Sequence, residues 1–243
     1  MRQKVEVHVG IDEVGRAAKK RASPKTVLVG IDEVGRAAKK RASPKTVLVG
    51  IDEVGRGPLA GPITVGAVAF VASDKCGVNS GRLLRGIKDS KKLSPARRQE
   101  WFKKIRGDRR FIVTHISVSH AIIDRRGLSY AARYAVKQCL EKITEHLSLP
   151  TQYFYVLLDA GLYAPSEYRQ ERFVKGDERI PLIAAASIIA KVTRDKHMIQ
   201  MHKKYPTYGF VNHKGYGTRA HIAVIRKHGM SEIHRKTFCT RII

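Results

Sequence analysis

The densest concentration of chemistry in the chain lies at residues 50–62, G-I-D-E-V-G-R-G-P-L-A-G-P. Asp52 and Glu53 close an apolar, β-branched run over 46–51 that has the composition of a buried strand. Acids in that position are costly to desolvate unless a cation or hydrogen-bond donors compensate them. An isolated D-E pair reads as strand-end carboxylates capping local backbone donors. The surroundings favour another chemistry. Gly55, Gly57 and Gly61 leave backbone bare for close approach of a ligand, and Arg56 sets a fork-shaped donor between the first two. Carboxylates for a metal, beside bare backbone and an arginine, describe a site for a phosphodiester.

Two further acids extend this constellation. Asp159 ends the apolar run 153–158 and precedes Ala160 and Gly161, repeating the strand-then-turn setting of Asp52. Strand C-termini are where open α/β sheets hold ligands. Asp195 shares a helix face with Ser187 and Lys191. The apolar first half of that helix, 182–190, must pack on the sheet, which can carry Asp195 to the strand ends. An ion pair with Lys191 or Arg194 on a solvated face is an equal reading. Because successive strand residues point to opposite faces, Asp52 and Glu53 can share one metal only if the strand ends or bulges there. Four acids with no Cys or His at ligand spacing specify hard oxygen coordination, which selects Mg²⁺ or Mn²⁺ over Zn²⁺. Two such ions about 4 Å apart activate water and stabilise the departing oxygen in phosphodiester hydrolysis. His197, His202, His213 and His221 lack ligand spacing and read as phosphate contacts or surface groups.

These motifs resemble those of ribonuclease HII, the enzyme class that cuts at ribonucleotides embedded in DNA duplexes, and the resemblance runs through residues 46–243. It implies a ribonuclease H-like mixed sheet flanked by helices, with a C-terminal helical region. It implies a four-carboxylate metal site at Asp52, Glu53, Asp159 and Asp195. The backbone of Gly55, Arg56 and Gly57 would meet the ribose 2′-hydroxyl, the group that distinguishes RNA from DNA at one nucleotide. Tyr216, in H-K-G-Y-G-T, is similar to the family tyrosine that stacks at the RNA–DNA junction. Ser90 and Lys91, in D-S-K-K-L, resemble its phosphate-gripping pair. Without that context Tyr216 reads as a packed loop aromatic and Lys91 as a solvated charge. Ala160 departs from the pattern, standing where the family usually has glycine directly after the third acid. The implied activity is cleavage 5′ of a ribonucleotide in an RNA–DNA hybrid or duplex DNA, leaving 3′-hydroxyl and 5′-phosphate ends and starting ribonucleotide removal. Two alternatives stand beside it: a catalytically impaired nucleic-acid-binding protein of the same fold, and a two-metal nuclease directed at DNA. The complete set of four acids argues against the first, and G-R-G against the second.

Bulk composition agrees with a polyanionic partner. Lys and Arg number 47 against 21 acids in 243 residues, a formal charge of +26, far beyond what solubility needs. No stretch reads as a basic amphipathic helix with bulky apolar anchors, so nucleic acid is preferred to a membrane. Cys76, Cys139 and Cys239 form no C-x-x-C pair and fit reduced thiols in a cytoplasmic, monomeric protein. The longest apolar runs, 63–72 and 180–190, are too short to span a bilayer, and the basic N-terminus lacks the apolar core of a secretory signal.

Residues 10–29 recur without change as 30–49, and a third, partial copy starts at Gly50 and diverges after Arg56. Two copies are too few for a stacked array; a tandem duplication explains them. T-V-L-V-G-I-D-E-V-G-R therefore occurs at both 26–36 and 46–56, but only the third copy continues into Gly57-Pro58-Leu59-Ala60-Gly61-Pro62. Ala17 and Ala37 replace Gly57 in the earlier copies, so Asp12, Glu13, Asp32 and Glu33 are read as bystanders. The arm 1–45 reads as a basic, disordered tether or as a solvated tail without a role, and 46–243 as the catalytic domain. Strands are expected at 46–52, 63–71, 111–119, 153–158 and 172–174, with the first two antiparallel. Helices are expected at 95–106, at 121–146 with a break near Gly127, from Pro181 to just before Pro206, and near 218–228. The stripe Leu128, Ala132, Ala135, Cys139 and Ile143 faces inward. The whole reads as a mixed α/β sheet with helices on both faces.

Overall fold

The computed structural model describes residues 46–70, 80–87 and 90–242; the expectations for the arm and its repeat lie outside them. In chain order the elements are β1 (Val47–Val54), β2 (Ile63–Phe70), α1 (Ser80–Leu83), α2 (Pro95–Gly107), β3 (Phe111–Val118), α3 (His120–Arg126), α4 (Leu128–Leu147), β4 (Phe154–Asp159), β5 (Arg169–Phe173), α5 (Gly176–Arg179), α6 (Pro181–Lys204), α7 (Phe210–His213), α8 (Arg219–His228) and α9 (Lys236–Cys239). Among the described residues the sheet has five strands in the order β3-β2-β1-β4-β5. β1 pairs antiparallel with β2 and parallel with β4; β2 pairs antiparallel with β3, and β4 parallel with β5. β1 joins the end of the second copy, from Val47, to the start of the third, Gly50–Val54.

The sheet is covered on both faces, which is why its central strands read as continuous apolar runs. Val47, Val49, Ile51, Val65 and Ala67 pack with Ala131, Ala135, Cys139 and Ile143 of α4. Leu48, Val68, Phe70 and Leu157 pack on the opposite face with Trp101 and Ile105 of α2 and Leu182, Ala186 and Ile189 of α6. Ser94 caps α2, its hydroxyl accepting from Arg97 N–H. Gly127 separates α3 from α4 as expected. The stripe on α4 is buried except at its first member, Leu128, which is half-buried. β5 begins three residues earlier than expected, because R-Q-E-R-F has no apolar alternation and becomes a strand only through its pairing with β4.

One contact sets the position of the site. A Cβ on Gly50 would lie 2.3 Å from the backbone carbon of Leu182, and one on Gly66 would lie 2.4 Å from the carbonyl oxygen of Ala186. α6 therefore rests almost directly on the backbones of β1 and β2, which no side chain larger than hydrogen would allow. Gly50→Ala or Gly66→Ala would overpack this contact, at an expected cost of about 1–3 kcal/mol. Thermal unfolding should show it as a fall of roughly 2–4 °C per kcal/mol. Gly57→Ala, which would meet nothing within 4 Å, should leave the melting temperature unchanged.

Candidate active site

Asp52, Glu53 and Asp159 each place one carboxylate oxygen within 4.8 Å of the others. The expected strand end or bulge at Asp52 is not what brings the first two together. Pairing of β1 with β2 runs unbroken through Asp52↔Gly66, Glu53↔Val65 and Val54↔Thr64. The parallel pairing with β4 stops instead at Ile51↔Leu158. Asp52, Glu53 and Asp159 thus project past the end of that ladder, and the long Glu53 side chain turns back to meet the other two.

Each carboxylate is held differently. Asp52 is buried; it accepts from Glu53 N–H at 2.8 Å and from the Ser187 hydroxyl on α6. Ser187 Oγ in turn lies 2.8 Å from Ser90 Oγ, so Ser90 donates to Ser187 and Ser187 to Asp52. Glu53 Oε1 accepts from Arg56 Nη1 at 3.2 Å, while its Oε2 is buried with no hydrogen-bond partner. Asp159 Oδ1 accepts from Gly176 N–H, at the start of α5, at 3.0 Å. Burial raises the Asp52 carboxyl well above the usual range, and repulsion from Glu53 and Asp159 adds to it. Burial also raises Glu53, although Arg56 opposes the shift. An unpartnered oxygen among crowded acids that resist ionisation is what a bound cation would relieve, and the donors are all hard oxygens. The residues fit a divalent metal.

The loop after β1 is organised from behind by two arginines that the sequence did not single out for this task. Arg194 and Arg235 are fully buried, yet each directs its hydrogen bonds to backbone carbonyls. Arg194 donates to the carbonyls of Pro62 (2.9 Å), Ala60 (3.2 Å) and Lys214 (3.0 Å). Arg235 donates to those of Gly61 (3.0 Å), Arg56 (2.9 Å) and Gly55 (2.6 Å). Burial, reinforced by neighbouring Arg194, lowers the Arg235 guanidinium to about 10, still positive at neutral pH. Two of the three glycines read as bare backbone are in fact occupied from the inside. A Cβ on Gly55 (φ +99°) would lie 2.4 Å from Arg194 Nε, and one on Gly61 (φ +84°) 2.4 Å from Met198 Sδ. Gly57 alone of the three stays open.

The remaining expected site residues are dispersed. Arg56 is half-exposed and also donates to Gly161 O at 3.3 Å, tying the β1 loop to the turn after Asp159. Ser90 is buried, and its side chain faces Ser187, not the surface. Lys91 is largely exposed, its Nζ 3.7 Å from Asp177. Tyr216 is 41% exposed, its ring centroid 5.7 Å from the Arg194 guanidinium carbon. Asp195 is not in the three-acid cluster; it accepts from Lys191 Nζ at 2.9 Å, and Ser187, which shares its face, is the residue that reaches Asp52. A buried acid that sequence reasoning did not single out is Asp177. It is only 8% exposed and directly follows Gly176, whose N–H holds Asp159. Its setting, V-K-G-D-E-R, looks like a charged surface turn; the preceding glycine was the one available signal.

The ribonuclease HII family model matches residues 49–241. Ribonuclease HII of Geobacter sulfurreducens is 42% identical over 182 residues, covering 75% of this chain and 77% of that protein. Ribonuclease HII of Coxiella burnetii is 38% identical over 183 residues, covering 75% of this chain and 83% of its relative. This chain belongs to the ribonuclease HII family. The structure of the PCNA:RNase HII complex from Archaeoglobus fulgidus superposes with a TM-score of 0.61 at 28% identity, covering 78% of this chain and 94% of that one. The fold is therefore ribonuclease H-like, the family is one of metal-dependent nucleases, and the acidic cluster is a candidate metal site. Among the described residues no helix is long and apolar enough to cross a membrane.

The crowding of acids has a thermodynamic consequence. Asp52 and Glu53 bind protons more tightly in the folded chain than in the unfolded one, so their ionisation at neutral pH opposes folding of the metal-free protein. In EDTA, Asp52→Asn should raise the melting temperature at pH 7; with metal supplied, the same variant should lose cleavage. The gain should shrink on acidification, as the wild-type carboxyls protonate. Calorimetry of the two proteins across the acidic range checks both signs.

Proposed function

We propose that this protein is a metal-dependent endonuclease that cuts 5′ of ribonucleotides in RNA–DNA hybrids or embedded in duplex DNA, leaving 3′-hydroxyl and 5′-phosphate ends. The observation that carries this reading is the buried, unpartnered Glu53 Oε2 within the Asp52–Glu53–Asp159 cluster, beside a loop left open at Gly57. Bound Mn²⁺ or Mg²⁺, with a two-ion site preferred, would supply an activated water and stabilisation of the departing oxygen. Asp52, Glu53 and Asp159 hold the metal, with Ser187 and Gly176 fixing the orientation of Asp52 and Asp159. Asp177 completes the carboxylate set in place of Asp195, because it is buried beside the N–H that holds Asp159 and its Lys91 partner is a solvated side chain 3.7 Å away, whereas Asp195 is bound at 2.9 Å by a largely buried Lys191.

Arg56 uses one nitrogen on Glu53 and Gly161 and keeps its exposed edge for the substrate. With the carbonyls of Gly55 and Arg56 drawn inward by Arg235, the backbone at Gly57 is open to a ribose 2′-hydroxyl. Tyr216 stacks at the junction, and Lys91 meets a phosphate. The Ser90 side chain acts through Ser187 on Asp52, not on phosphate. The charge of +26 adds nonspecific attraction to the duplex, so affinity falls with salt. The protein is read as a cytoplasmic monomer whose partner is the nucleic acid itself.

A labelled duplex carrying one ribonucleotide, beside an all-DNA control, tests the activity. Cleavage of the first alone, 5′ of the ribonucleotide and abolished by EDTA, is expected. Tight binding without turnover would favour the impaired-binder alternative, and equal cutting of both duplexes a DNA-directed nuclease. For the fourth acid, Asp177→Asn should lower kcat on the order of 10²-fold, the scale of losing one precisely placed electrostatic group. Asp195→Asn should stay within about tenfold of wild type, since Asp195 lies outside the three-acid cluster and is engaged by Lys191. The reverse ranking would restore Asp195 to the metal site. Gly57→Ala, with its melting temperature unchanged, should raise KM for the ribonucleotide duplex.

A further inference from the structure

Tyr216 stands between Gly215 (φ +88°) and Gly217. A G-Y-G stretch has little backbone preference of its own, and a ring 41% exposed is not fixed by burial. Its main chain is held by hydrogen bonds from nearby groups. Tyr216 N–H donates to His213 O at 2.9 Å, and Tyr216 O accepts from Thr218 N–H at 2.9 Å. The same oxygen lies 2.9 Å from His221 Nδ1. Gly215 N–H donates to His213 Nδ1 at 3.2 Å, and the His213 ring stacks on His221 with centroids 4.2 Å apart.

His221 and His234 are both buried, and their Nε2 atoms lie 3.0 Å apart. The surrounding donors admit one arrangement of protons. His234 Nδ1 accepts from Ser231 N–H at 2.8 Å, so its Nε2 carries the proton and donates to His221 Nε2. His221 must then carry its proton on Nδ1 and donate it to Tyr216 O. Burial lowers both imidazoles to about 4, so the neutral relay persists at neutral pH. The hydrogen-bond partners of the two rings are Tyr216, Ser231 and each other, none of them a member of the carboxylate cluster.

We propose that His221 is a positioning residue for substrate binding, its tautomer fixed by His234, and that its Nδ1–H orders the glycine-flanked Tyr216 before the nucleic acid arrives. This rests on the reading of Tyr216 as the stacking residue. Without the donor, Gly215 stays anchored by Leu59 N–H but the Tyr216 carbonyl loses its side-chain hold, so part of its ordering falls on binding and the loss appears in KM and not in kcat. Phenylalanine at 221 keeps the ring's bulk and removes both nitrogens; asparagine sets an amide donor where Nδ1 stood but cannot reach His234.

The test is a set of four variants, His221→Phe, His221→Asn, Tyr216→Ala and the Phe/Ala double, assayed for kcat, KM and melting temperature on a duplex with one ribonucleotide. His221→Phe should raise KM about tenfold with kcat within about twofold. His221→Asn should recover KM to within about threefold of wild type, while its melting temperature falls as far as that of the Phe variant. Tyr216→Ala should raise KM, and His221→Phe should add nothing in that background. Equal KM defects in the Phe and Asn variants would reduce His221 to a packing role and overturn the proposal. So would additive effects, or an unchanged KM in His221→Phe beside a raised one in Tyr216→Ala. An unchanged KM in Tyr216→Ala would remove the stacking reading itself, and the proposal with it.

Discussion

The structure depends on one ridge of α6 lying against backbone. Every fourth residue from Leu182 meets a glycine of β1, β2 or the loop between them. Leu182 faces Gly50, Ala186 and Ala190 face Gly66, Arg194 faces Gly55, and Met198 faces Gly61. Residues four apart form a continuous ridge on a helix surface, and here the groove is made of positions that have no side chain. The close approach sets Ser187, one residue off the ridge, against Asp52. It also brings the Arg194 guanidinium behind the catalytic loop. A larger residue at any of these glycines would move the Ser187 support of Asp52 and the loop together.

The site combines two electrostatic costs of opposite sign. On the outer side, three carboxylates are crowded past the end of a parallel ladder, two of them pushed toward protonation by burial. On the inner side, two guanidiniums are buried among carbonyls. A buried cation that makes three hydrogen bonds to carbonyl oxygens is tolerable in a way that an unpaired one is not. By engaging those oxygens, Arg194 and Arg235 also fix the direction in which the loop presents its other face. The stability lost at the acids is of the kind a bound cation would return, which would couple metal binding to folding.

Much of this was legible because strands announce their ends. Asp52 and Asp159 each come after an apolar run and precede a turn, and that pattern located two of the three clustered acids without any pairing information. The faces of α6 were legible too, since Ser187, Lys191 and Asp195 do share a side. What periodicity could not supply is how far along the helix the sheet extends. Ser187 lies over the strand ends, whereas Asp195, two turns on, has passed them and pairs with Lys191. Asp177 was hidden for the complementary reason: in V-K-G-D-E-R it looks solvated, yet in the fold it is buried in α5, just after an edge strand of no apolar character. Arg235 was hidden within a basic tail, where a charge count cannot separate a buried guanidinium from solvated ones.

The repeated segment shows how a fold can choose among identical strands. T-V-L-V-G-I-D-E-V-G-R is present twice in full, and β1 itself could be built from either copy without changing a core residue. The choice is made by the residues on the C-terminal side of the strand. Leu59 N–H donates to Gly215 O, Leu59 O accepts from Arg235 N–H, Gly61 N–H donates to Ile233 O, and Ala60 bridges to His234. These contacts dock the C-terminal region, and with it the tyrosine loop, onto the segment after β1. Shifted back by 20 residues, the fully buried Ala60 would become Lys40, and Gly61, at φ +84° against Met198, would become Arg41. A charge would enter the apolar contact with Phe210 and Ile233, and a side chain would be forced into a left-handed conformation. The register is therefore set outside the strand, by the same loop that Arg194 and Arg235 hold beside the acidic cluster.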